Sequence, residues 1–304
     1  MAKVAVVGSI NMDLVVRVPR FPIAGETILG GVFQTIPGGK GANQAMAARR
    51  LDAEVGMIGR VGGDAFGGVL RHNLAQEGIS TDRLMVDDGQ ATGVALITVE
   101  DSGENTIIVV PGANGRITTA DIDAARPLIT GADILLTQLE IPLEVVQYAA
   151  ELAQAGGVTL ILNAAPAQPL PPALLAQVDY LIVNEVEAGL LAGAAAASAE
   201  NAARALQTLG ARAVVVTLGA EGSLLLSRDS TSVVAASFAV QAVDTTAAGD
   251  AFVGAFAVAL AGGMPPEHAL RWGNAAGALA VTRAGAQPSL PTQLEIEEFL
   301  KSHV

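Results

Sequence analysis

The chain has 304 residues, 51% of them hydrophobic, which suits one large α/β domain or two modest ones and excludes disorder. Its net charge is -13 and its basic residues are scattered, so nothing marks a footprint for nucleic acid or an anionic membrane, and a small molecule is the expected partner. Cysteine is absent, which excludes disulfides, thiol catalysis and cysteine-based metal centres, and His72, His268 and His303 are too scattered to share a helical face as ligands.

In chain order, residues 4–7 form a continuous β-branched and apolar run closed by Gly8, the pattern of a strand buried on both faces. Around it there is no basic region, long apolar core or cleavage site of a secretory leader, and the longest uncharged apolar stretch, 251–261, is about half the roughly 20 residues that span a bilayer. A cytoplasmic location is the expectation. The following S-I-N-M-D places Asn11 and Asp13 just beyond the strand's carboxyl end, where α/β sheets bind ligands; the plain alternative is an Asx turn.

Residues 14–18 and 27–36 have β composition with no helix between them, as do 93–99 and 106–110 around a D-S-G-E-N turn. These four segments are expected to form one small lid sheet, spanning about 12–36 and 92–111, with an exposed face suited to dimerisation. Between the pairs, P-G-G-K-G-A-N leads into a helix. Its glycines admit a ligand to the backbone and Lys40 adds a point charge, but Gly41 follows the lysine where a P-loop needs Ser or Thr. G-S-I-N-M-D likewise fails the dinucleotide spacing.

From Asp133 onward strand, helix and strand alternate as in βαβ units. Four strands end at Glu140, at Asn163, at Asn184 with Glu185 and Glu187, and at Thr217 with Gly219, so polar residues line one edge of a parallel sheet. For each residue alone, helix capping is at least as good an explanation; the repetition favours a ligand edge. In V-D-T-T-A-A-G-D-A-F-V-G-A-F, at 243–256, Asp250 falls in the first turn of a helix, where free backbone amides and the helix dipole favour an anion. A long apolar helix over 266–283, a Gly and Pro loop R-A-G-A-Q-P-S able to offer carbonyls to a hard cation, and a terminal helix complete the chain.

Together, G-S-I-N-M-D, P-G-G-K-G-A-N-Q-A, T-G-V-A-L-I, N-E-V-E, T-L-G-A-E-G, D-T-T-A-A-G-D-A-F and V-T-R-A-G-A-Q-P-S resemble, in order and over essentially the whole chain, the ribokinase family of carbohydrate kinases. The resemblance implies one three-layer α/β domain over 1–304, with a mostly parallel sheet between helices and a β lid that mediates homodimers. It implies transfer of the ATP γ-phosphoryl group to a sugar's primary hydroxyl. By the same resemblance Asn11, Asp13, Gly39, Lys40, Gly41, Asn43 and Glu140 hold the sugar. Asn184, Asn274 and the run Thr217, Leu218, Gly219, Ala220, Glu221 and Gly222 meet ATP, and Glu187 places Mg2+ through water. Asp244, Thr246, Ala280, Arg283, Gly285 and Ser289 match a potassium site. Asp250 is then the base, and the amides of Ala248, Gly249 and Asp250 the anion hole. The family favours glycine where Ala247 stands; if that position has positive φ, alanine is strained there. The competing expectations are a kinase for deoxyribose, a nucleoside or another sugar, and a binding regulator without turnover.

Overall fold

The computed structural model describes residues 1–102, 104–193 and 197–303. Strand β1, Lys3–Val7, lies near one end of a nine-stranded sheet. It pairs in parallel with β4, Glu54–Gly62, on one side and with β8, Ile134–Thr137, on the other, and β5, Ser80–Asp87, forms the near edge. Beyond β8 the parallel run continues through β9, Thr159–Asn163, β10, Tyr180–Asn184, and β11, Ala213–Thr217. The far edge turns antiparallel with β12, Ser223–Leu226, and β13, Ser232–Ala235.

Alternate side chains of these strands feed two cores, which is why the strands read as unbroken apolar runs. Val4, Val6, Leu136, Ile161, Ile182 and Val215 point into one core; Ala5, Val7, Leu135, Leu160, Leu181 and Val214 point into the other. Helices α1, Lys40–Arg50, α2, Ala65–Gln76, α9, Ala248–Ala261, α10, Pro266–Ala280, and α12, Gln293–Ser302, cover the first face. The second is covered by α3, Thr119–Ala124, α4, Arg126–Thr130, α5, Leu143–Gly156, α6, Pro172–Leu175, α7, Glu185–Ala192, and α8, Ala199–Thr208. This is the expected three-layer arrangement. Among the described residues no helix is long and apolar enough to cross a membrane, and all three histidines are exposed.

A separate four-stranded sheet is built from β2, Asn11–Val18, β3, Phe33–Gly38, β6, Gly93–Glu100, and β7, Asn105–Val110, in the order β3-β2-β6-β7. The expected lid strands are therefore present, with shifted ends. Residues 27–32 are not strand, and β3 runs on to Gly38. Asn11 and Asp13 are inside β2 rather than in a turn, because the chain leaves β1 and enters the second sheet almost at once. Part of the D-S-G-E-N turn, Gly103, lies outside the described residues. Other differences are local: β8 stops at Thr137, before Glu140, Glu185 and Glu187 open α7 rather than end a strand, α10 stops at Ala280, and the loop after it holds a short helix, α11, Ala286–Ser289. The β4, α2 and β5 segment extends the sheet beyond β1 with no counterpart among the sequence expectations.

Small residues let α9 and α1 approach closely. A Cβ on Gly254 would stand 2.5 Å from that of Ala47, so glycine sets the spacing that brings the start of α9 against the start of α1. That junction carries the site.

Candidate active site

Asp250 is in the first turn of α9 and is 7% exposed. Its Oδ2 accepts a hydrogen bond from Asn43 Nδ2 at 2.9 Å and its Oδ1 one from Gln44 Nε2 at 2.9 Å, both from α1. Burial pushes the Asp250 carboxyl above the usual carboxylate range, against the pull of Lys40 and of these two amides and with a push from Glu140. Gly249 and Asp250 lie among the first residues of α9, whose amides an α-helix leaves without intrahelical partners, while Ala248 N–H is spent on Thr245 O at 3.3 Å. Ala247 caps the helix at φ 60°, so the condition for strain at the missing glycine is met.

On the lid side, Asp13 and Asn11 stand two apart on one face of β2, and the Asp13 carboxyl is near enough to feel the charge of Asp250. Burial first, then Glu140 and Asp250, push Asp13 up to about 7. Both residues sit where their neighbours have no side chains. A Cβ on Gly38 would come within 2.3 Å of Asp13 Oδ2, and one on Gly93 within 2.4 Å of Asn11 Oδ1. Asn11 Oδ1 accepts from Asn114 Nδ2 at 2.7 Å, and Asn114 in turn bonds both backbone groups of Ile10. Gly39, at φ 90°, turns the chain from β3 into α1, and its missing Cβ leaves room for the backbone of Ile10 and Asn11. Glu140 accepts from Ser9 Oγ and from Lys40 N–H at 3.3 Å, while Gly41 packs against the Gly8 and Ser9 backbone. Burial alone would lower the Lys40 ammonium, but Asp250, Glu140 and Glu187 outweigh it and hold the group charged. A buried oxygen, Asn43 Oδ1, has no partner among the described residues.

Two cavities meet at the start of α9. The smaller, about 220 Å³, is lined by Lys40, Asn163, Asn184, Glu187 and Asp250 among others. The larger, about 480 Å³, runs over Gly219, Ala220, Gly222, Phe238, Phe252 and Asn274. Thr217, Thr245 and Gly249 line both. Polar residues surround the first and mostly apolar ones the second, as a phosphate chain and a flat heteroaromatic base require.

Several expected residues are committed locally. Asn184 and Glu187 form a reciprocal capping box on α7, so the capping alternative is realised there, with Glu187 Oε1 outside the box. Burial raises the Glu187 carboxyl. Asn274 Nδ2 donates to Ala235 O and Ala236 O, fixing the strand exit that walls the larger cavity. Leu218 closes the turn through Gly222 O, and neither it nor Glu221 lines the cavity. Gly222 stands at φ 108° with Ala235 O 2.1 Å from the place of a Cβ. Asp244 ties two loops together, accepting from Thr246 N–H at 2.9 Å and Gly285 N–H at 2.8 Å. Ser289 Oγ donates to Ala286 O, and the Arg283 side chain pairs with Glu295.

Sequence reading missed Ser9, Gln44, Asn114 and Gln138. Gln44 had a signal, since it follows Asn43 in the same helix turn; the other three come from positions whose nearness only the fold creates.

The chain matches the model of the pfkB family carbohydrate kinases over residues 1–293. It is 43% identical over 299 residues to the ribokinase of Haemophilus influenzae, covering 97% of each chain. It is 36% identical to the deoxyribokinase of Salmonella typhi, covering 98% of each. The structure of Arabidopsis thaliana ribokinase with ribose and ATP superposes with a TM-score of 0.93, at 36% identity and 99% coverage of both chains.

Proposed function

The chain belongs to the pfkB family of carbohydrate kinases, a family of phosphotransferases acting on an alcohol group, and from that premise we propose that it phosphorylates the primary hydroxyl of D-ribose with ATP. The observation that carries this is the buried Asp250 carboxylate, held by Asn43 and Gln44 where the two cavities join. The sugar lies between α1 and the small sheet, held by Asn11, Asp13, Gly39, Lys40, Gly41, Asn43 and Glu140. Asp13 and Glu140 accept its hydroxyls, and the Lys40 ammonium, held charged by Asp250, Glu140 and Glu187, offsets part of the cluster's negative charge. The nucleotide's base and ribose occupy the larger cavity, over Gly219, Ala220, Gly222 and Asn274, and its phosphates reach the smaller one.

Asp250 takes the hydroxyl proton, and the α9 amides at Gly249 and Asp250 receive the charge that gathers on the transferring phosphoryl group. Glu187 fits a magnesium role, since burial and the capping box hold it beside Asp250 and Lys40 with one oxygen uncommitted; a bound Mg2+ supplies charge neutralisation at the phosphates. The Asp244 loop fits a monovalent cation such as potassium. Each Asp244 oxygen takes one backbone amide and keeps lone-pair capacity, and Thr246, Ala280, Arg283, Gly285 and Ser289 would complete the ligand set, several through backbone carbonyls. Equal activity in sodium and potassium buffers would remove that role.

The four-stranded sheet acts as a lid on the sugar, and through its outer face two copies pair. The whole described chain works as one kinase domain carrying that insertion. Closure keeps water from the γ-phosphate, so ATP hydrolysis without sugar is expected to be weak. The test of the function is a coupled ADP-release assay over pentoses, hexoses and nucleosides, with ribose expected to give the highest kcat/KM. Preference for 2-deoxyribose is the second reading, favoured by the full-length similarity to the Salmonella typhi deoxyribokinase.

A further inference from the structure

We propose that Gln44 decides which oxygen of Asp250 receives the substrate's proton, acting as a positioning residue at the head of a buried amide chain. The inference rests on the kinase reading above. Its starting point is Asn163, whose Nδ2 donates at 3.2 Å to the Ile182 carbonyl. A carbonyl can only accept, so the Asn163 nitrogen must face it and the Asn163 oxygen must face Gln44. Gln44 Nε2 donates to that oxygen at 3.0 Å and sends its other hydrogen to Asp250 Oδ1 at 2.9 Å. Gln44 Oε1 accepts from Gln138 Nε2 at 2.6 Å. None of the four side chains is more than 9% exposed.

Every polar atom of the Gln44 amide is therefore assigned. Turning it over would set its oxygen against two acceptors, Asn163 Oδ1 and Asp250 Oδ1, and only the contact with Gln138 could be restored, because Gln138 Oε1 is itself unpartnered and that amide can turn as well. Asp250 Oδ1 is thereby fixed as an acceptor, because a proton on it would oppose the Gln44 N–H. The incoming proton goes to Oδ2, whose one donor, Asn43 Nδ2, belongs to an amide with an unpartnered oxygen that can turn and accept from a protonated Oδ2. In the transfer the sugar O–H bond breaks and its proton moves to Asp250 Oδ2. The oxygen's electron pair forms the bond to the γ-phosphorus, and the bond from that phosphorus to the β,γ-bridging oxygen breaks with its electrons leaving on ADP.

The charged groups that reach Asp250 are Lys40 from α1, Glu140 after β8, Glu187 from α7 and Asp13 from β2, and none touches Gln44 through a hydrogen bond. The pH profile of kcat with saturating ribose and ATP then isolates the amide chain. Gln44→Met fills the same space without a donor. It is expected to lower plateau kcat about 10- to 100-fold and to move the acid limb to higher pH, with the sugar KM little changed. Gln138→Met touches neither Asp250 nor substrate, and is expected to move the limb in the same direction by less. A fall in kcat with an unmoved limb would mean packing alone and would overturn the proposal. Should Gln44→Met not fold, the limb of folded Gln138→Met decides by itself, and an unmoved limb there overturns the chain. Wild-type protein that transfers phosphate from ATP to no sugar would overturn the kinase reading; active wild type with unmoved limbs would overturn only the role of Gln44.

Discussion

At the level of single residues, the base role proposed for Asp250 is one that a neutral amide of equal size cannot fill. Asp250→Asn keeps the α9 start and two hydrogen-bonding atoms but cannot take a proton, so kcat is expected to fall about 10²- to 10⁴-fold while ribose and ATP still bind by calorimetry. Asp13 gives a second prediction with a definite sign. Its folded value is about 7 against an ordinary 3.8, so between these pH values the folded protein holds a proton that the unfolded chain has released. Stability from this group is therefore present at low pH and is lost as pH rises through about 7, by a few kcal/mol. Asp13→Asn is expected to be more stable than wild type to urea at about pH 8, with the gap closing near pH 4, while its ribose KM rises. Asp250, Lys40 and Asn43 were legible because a short motif sets each of them at a helix start. The amides behind them were not, since Gln138, which holds Gln44, lies 94 positions from it and Asn114, which holds Asn11, lies 103 from it.

Among the elements, α9 was readable almost residue by residue, from the apolar run after Asp250 and the small residues before it. Of the strands with two buried faces, β1 and β8 to β11 were equally plain, because their apolar runs are short and bounded by polar ends, whereas β4, whose run is broken by glycines and Arg60, was not read. β2 was misread at its start for a physical reason: Asn and Asp favour turns in isolation, and only pairing with Gly38 and Gly93 lets Asn11 sit in a strand. The N-cap of α9 raises a question of strain that can be measured. Alanine in the left-handed region costs roughly 1–2 kcal/mol, part of which glycine returns through its freer unfolded chain. Ala247→Gly is therefore expected to stabilise the protein by about 0.5–1 kcal/mol in urea unfolding, with kcat within a factor of about two. A large loss of kcat would show that the alanine itself holds the anion-binding amides in place.

For the molecule as a whole, the small sheet has two faces with different work. The row Ile36, Asp13, Ala95 and Val109 belongs to the face that carries the sugar-side carboxylate. The row Thr35, Leu14, Leu96 and Ile108 belongs to the opposite face, where Leu96 is 43% and Ile108 63% exposed, with Phe33 in the next row at 62%. Exposed apolar side chains lie on both faces of the outer strand β7, Val109 at 42% in the Asp13 row among them; those on the face away from Asp13 favour burial against another surface, and a second copy presents the same rows for self-complementary pairing. On the proposed function, pairing there would also brace the sheet from behind the face that carries Asp13 and Asn11, the residues proposed to hold the sugar. Ile108→Glu places a charge in that contact without touching the ribose face. Sedimentation is expected to show wild type with twice the mass of Ile108→Glu at micromolar concentration. The variant's ribose KM is expected to rise several-fold with its ATP KM unchanged, because the larger cavity, proposed for the nucleotide, is walled by the end of β11, the turn after it, the loop after β13, α9 and α10 rather than by the small sheet. A wild type that sediments as a monomer, or a monomeric variant with unaltered ribose KM, would separate the lid's function from pairing.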